Sequence, residues 1–71
     1  MTKLPTVSGM DVVKYLSRKG FYVSHRKGSH VVLRKGDRRV VVPLHNELKP
    51  GTLLAILKQA GISREEFMEE I

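Results

Sequence analysis

Residues 27–43 read KGSHVVLRKGDRRVVVP, and the way this stretch turns decides the fold. Gly36-Asp37 puts a glycine first in a two-residue loop, as a type II′ hairpin turn requires. That turn pairs Leu33 with Val40 and Val31 with Val42, which together make one apolar face and must point to a core. His30, Val32, Arg34, Arg39 and Val41 then occupy the other face. For the preceding hairpin, a two-residue loop would put Phe21 and Val23 on the polar side. A three-residue loop, Arg26-Lys27-Gly28 with a left-handed glycine, sets them beside Leu33 and Val31 and buries more apolar surface. This expected register sends Tyr22 and Ser24 to the face of His30, and His25 to the opposite one.

Helices flank the three strands. VSGMDV (7–12) has Ser8 as N-cap, Asp11 three residues on, and Val7 facing Val12 as a staple. ISREEF (62–67) repeats the pattern with Ser63, Glu66, Ile62 and Phe67. Gly20 and Gly61, each followed by an apolar residue, supply two helix stops. A first helix over 9–19 buries Val12, Val13 and Leu16. A second starts at Pro50, with Leu53, Ile56, Leu57 and Ala60 at helical spacing, and a short third covers 64–70. The expected fold is α+β, a two-layer sandwich of order α-β-β-β-α(-α) with a three-stranded antiparallel sheet.

Seventy-one residues predict a single domain over 1–71, whose chain buries about 60% of its unfolded surface. Without cysteine, neither disulfides nor thiolate metal sites supplement that core. No apolar run has signal-peptide or membrane-span character, which predicts a soluble, cytoplasmic protein with no membrane partner. Charge is lopsided: residues 1–46 hold ten basic and two acidic side chains, residues 47–71 three and five. A basic first part suits a polyanion, although basicity also serves solubility alone.

The sequence lacks a phosphate-cradling glycine loop, a hydrolase triad and the paired carboxylates of metal catalysis. His25, His30 and His45 match no metal-ligand spacing, so no metal and no cofactor are expected. A solitary histidine among arginines fits chemistry on RNA, which carries its own nucleophile in the 2′-hydroxyl. Histidine can remove that proton, and Arg or Lys can hold the phosphate as its charge grows. His30 is the candidate base; Arg34, Arg39 and Lys27 are candidate phosphate holders. Each also has a plain reading as a surface or turn residue. Tyr22 could stack on a base or pack, and His45 could assist or cap a turn.

The segments KGF (19–21), KGSHVV (27–32), VPLH (42–45), LKPGTL (48–53) and ILKQAGIS (56–63) are individually loose, but their order and spacing are specific. In these the chain resembles the HicA-type mRNA interferase toxins along nearly its whole length. The resemblance implies a double-stranded-RNA-binding-domain-like fold and a type II toxin that cleaves mRNA. It also implies a HicB-type antitoxin as partner, and His30, after the glycine turn, as the essential histidine. A non-catalytic RNA- or DNA-binding module with a basic sheet face is the competing expectation.

Overall fold

The computed structural model describes residues 4–71. Its elements are α1 (Gly9–Arg18), β1 (Tyr22–Lys27), β2 (His30–Lys35), β3 (Arg38–Pro43), α2 (Pro50–Ala60) and α3 (Arg64–Glu70). The strands form an antiparallel sheet in the order β1-β2-β3, with the helices packed on one face. This is the expected α+β sandwich.

Local chemistry sets the helix ends. The Ser8 hydroxyl accepts from the Asp11 N–H, and the Asp11 carboxylate accepts from the Ser8 N–H, a complete capping box. At the other end of α1, the Phe21 N–H reaches the Leu16 carbonyl and the Gly20 N–H the Ser17 carbonyl, with Gly20 at φ +97°. Ile62 and Gly61 close α2 in the same way on Leu57 and Lys58. The Ser63 hydroxyl accepts from the Glu66 N–H to start α3, while the Glu66 carboxylate pairs with Lys19.

One core joins the two layers. Val12, Val13 and Leu16 from α1, Leu53, Ile56, Leu57 and Ala60 from α2, and Val31, Leu33, Val40 and Val42 from the sheet are all buried, as expected. Tyr15 joins them because its ring meets that of Phe67 edge-on at 5.0 Å while its hydroxyl donates to Glu70. Such an aromatic pair is worth about 0.5–1.5 kcal/mol beyond its buried area. Lys19 also binds Glu70, so α3 is fastened to α1 by a ring contact and a polar clamp.

The second hairpin has the predicted register, Leu33 opposite Val40 and Val31 opposite Val42. The first does not. Lys27 pairs with His30 across a two-residue Gly28-Ser29 loop, Gly28 having φ +60°. The expected three-residue loop is replaced by a tight turn plus a bulge between Val23 and His25, which leaves Ser24 unpaired. A bulge inserts one residue and so inverts the inside–outside alternation beyond it. Phe21 thereby enters the core despite the short loop. Val23, opposite Leu33, stays 51% exposed because it lies on the edge strand.

Gly9 marks the tightest approach in the fold. Its N–H donates to the His45 carbonyl at 2.9 Å, and a Cβ there would stand 2.0 Å from the Pro43 carbonyl oxygen. Both neighbours are backbone, so relief requires α1 or the end of β3 to move. Gly9→Ala is expected to cost about 1–3 kcal/mol, read as a lower urea midpoint at unchanged slope.

The Lys19 ammonium and then the Tyr15 hydroxyl hold the Glu70 carboxyl below the usual glutamate range. Burial and Glu70 push the Tyr15 phenol up to about 12. A depressed carboxyl stabilises the fold fully above its unfolded pKa, and that contribution disappears as pH falls through the folded value. Thermal melts should therefore lose stability on acidification below about pH 4. Glu70→Gln should melt lower than the parent at neutral pH and lose less on acidification.

Candidate active site

His30 opens β2 immediately after the Gly28-Ser29 turn, and its side chain is exposed on the sheet face away from the helices. Two backbone contacts hold its surroundings. The Leu44 N–H donates to the Ser29 carbonyl at 2.6 Å, tying the turn to the chain that leaves β3. His30 itself pairs with Pro43, the residue against which Gly9 packs.

Three rungs cross this outer face. Lys27, His30 and Pro43 form the first, His25, Val32 and Val41 the second, and Tyr22, Arg34 and Arg39 the third. Between them lies an open groove of about 470 Å³ with His25, Lys27, His30 and Arg39 around Val32 and Val41. Val32 is only 4% exposed although it lies outside the main core cluster, so the groove has an apolar floor. Its rim carries cations and imidazoles, and no carboxylate lines it. On the helix side, by contrast, Lys19 pairs with both Glu66 and Glu70.

Lys27, His30 and Arg39 all line this one groove. Arg34 shares the face, four residues along the strand from His30, but lies outside the groove lining, whereas Arg39, on the same rung, is part of it. Tyr22 is exposed next to Arg34. His45 is exposed and outside the groove lining, and its carbonyl caps the start of α1.

One assignment is reversed. His25 was expected on the face opposite His30, but it pairs with Val32 and lines the same groove. The cause is the short first turn. Lys27 pairs with His30, so His25, two residues back, shares the side of Lys27. The signal was present in the sequence: KGSH (27–30) repeats the glycine-first pattern of KGDR (35–38). Among the described residues no group of three or more His, Asp or Glu side chains could hold a metal ion. No described helix is long and apolar enough to cross a membrane.

A cation-rimmed groove with an exposed histidine and an apolar floor can grip a phosphodiester and accept a proton beside it. Residues 9–62 match the family model described as the HicA toxin of bacterial toxin–antitoxin systems. No curated protein matches the chain. The match runs from the first residue of α1 through the turn that ends α2. The chain therefore belongs to the HicA family of toxins of bacterial toxin–antitoxin systems, which implies an antitoxin partner.

Proposed function

We propose that this toxin is a metal-independent endoribonuclease that cleaves mRNA in the cytoplasm, with His30 as general base. The observation that carries the reading is the groove itself, where His30 stands exposed in one lining with Lys27 and Arg39 and with no carboxylate on the rim. His30 takes the proton of a ribose 2′-hydroxyl, and the freed oxygen attacks the adjacent phosphorus. Lys27 and Arg39 hold the phosphate oxygens, whose negative charge grows in the transition state. Arg34 positions the strand through a further phosphate. The substrate supplies the nucleophile, so the protein needs only a base, cations and a place to hold the strand.

A HicB-type antitoxin silences the toxin by covering this face. A partner that does so presents acidic side chains to Lys27, Arg34 and Arg39. Co-expression with the product of the adjacent gene should give a co-purifying complex with reduced cleavage; two proteins that elute separately would remove this part of the proposal.

Purified protein should cleave RNA in excess EDTA and leave 2′,3′-cyclic phosphate ends. His30→Ala should lower the rate by about 10²–10⁴-fold. Parental cleavage by His30→Ala, or products with 5′-phosphate ends, would refute the assignment. Binding with no cleavage, indifferent to His30→Ala, would instead identify a non-catalytic nucleic-acid-binding module. Replacing Arg34 with alanine should weaken RNA binding and make the log–log salt slope shallower by about 0.7.

A further inference from the structure

We infer that His25 is the general acid of the same reaction, protonating the 5′-oxygen that leaves as His30 takes the 2′-proton; this rests on the ribonuclease reading above. The transfer needs two groups. When the 2′-oxygen–phosphorus bond forms, the phosphorus–5′-oxygen bond must break, and an unprotonated alkoxide is a poor leaving group. The attacking and leaving oxygens lie on opposite sides of the phosphorus, so base and acid must approach from two directions. Each must come within about 2.6–3.2 Å of its oxygen.

The sheet supplies such a pair. His25 is on β1 opposite Val32, and His30 is two residues before Val32 on β2, so the two histidines are diagonal neighbours on one face. Diagonal partners on adjacent strands stand about 7 Å apart, a spacing that lets two imidazoles bracket one phosphate. Both line the groove whose floor is Val32 and Val41. Charged groups facing them are Lys27 from β1 and Arg39 from β3, with Arg34 further along β2 and no carboxylate on the rim. Lys27 also lines the groove, but an ammonium gives up its proton less readily than an imidazolium at neutral pH. Lys27 and Arg39 thus serve as fixed charges, and the histidines as the pair that changes protonation.

The proton balance closes. The 2′-proton goes to neutral His30, and the proton of the His25 imidazolium goes to the 5′-oxygen. The products are a 2′,3′-cyclic phosphate and a free 5′-hydroxyl, and exchange with water restores both histidines.

The test compares ordinary RNA with an oligonucleotide whose cleaved linkage has sulfur in place of the bridging 5′-oxygen. A thiolate leaves without a proton, so a general acid is needed for the first substrate only. His25→Ala and His25→Gln should cleave ordinary RNA about 10²-fold or more slowly than the parent, yet cleave the sulfur-bridged strand within a few-fold of it. His30→Ala should be slow on both. His25 is exposed on an edge strand, so parental melting curves are expected for both of its variants. Parental rates on ordinary RNA, or equal losses on both substrates, overturn the assignment of His25 alone. A parent protein that cleaves neither strand overturns the ribonuclease reading and this assignment with it.

Discussion

The central strand has only two sides, and every other feature of this molecule answers to that constraint. Alternate residues of β2 serve different ends: Val31 and Leu33 enter the core, while His30, Val32 and Arg34 look outward. Neither set can shift by one residue without exchanging core for surface. The apolar side is pinned by Val40 and Val42 and by the helices, so the outward side is pinned as well. A histidine on such a strand is aimed by hydrophobic burial on the reverse of the sheet.

β1 meets this constraint differently. Its tight turn fixes Lys27 beside His30, while Phe21 at its far end must reach the core. Strict alternation cannot satisfy both, since it would send Phe21 outward. The bulge at Ser24 resolves the conflict by adding one residue where the edge strand faces no neighbour on its outer side. Bulges belong at such edges, where an unpaired residue keeps its contact with water. Below the bulge, His25 and Lys27 are left on the face of His30. Above it, Tyr22 stands level with Arg34.

This explains which parts of the fold could be read from the residues. Helix caps are short-range chemistry, so Ser8 with Asp11, Gly20 and Gly61 were legible from a few neighbours. The second hairpin was legible because Gly36-Asp37 and four apolar residues agree on one register. In the first hairpin the turn signal and the wish to bury Phe21 and Val23 pointed to different registers. The loop that buries both residues runs against the turn signal, and the bulge that satisfies the turn and Phe21 together has no composition of its own. The place of His25 depends on the two-residue turn, and the three-residue loop puts it on the wrong face. Tyr15 was overlooked for another reason: its burial needs Glu70, 55 residues away, to receive the hydroxyl. The near contact of Gly9 with Pro43 is equally non-local. The outward placing of His30, Arg34 and Arg39 was legible because the Gly36-Asp37 turn fixes it, whereas Lys27, expected inside the first loop, ends β1 opposite His30.

The unequal distribution of charge along the chain becomes, once folded, an inequality between layers. Lys27, Arg34 and Arg39 lie on the open side of the sheet, whereas Glu65, Glu66, Glu69 and Glu70 lie on α3, which is fastened to the helix layer through Tyr15 and Lys19. The groove lining holds cations and no carboxylate, whereas α3 carries four glutamates, so charge is divided unevenly between the two sides of the molecule. In the field of any polyanion the molecule experiences a torque as well as an attraction, and it turns groove-first before contact is made. The same torque would align any acidic surface with the groove, so two such partners would share one approach. α3 contributes nothing to the groove's lining, yet its glutamates add to the field in which the groove is met.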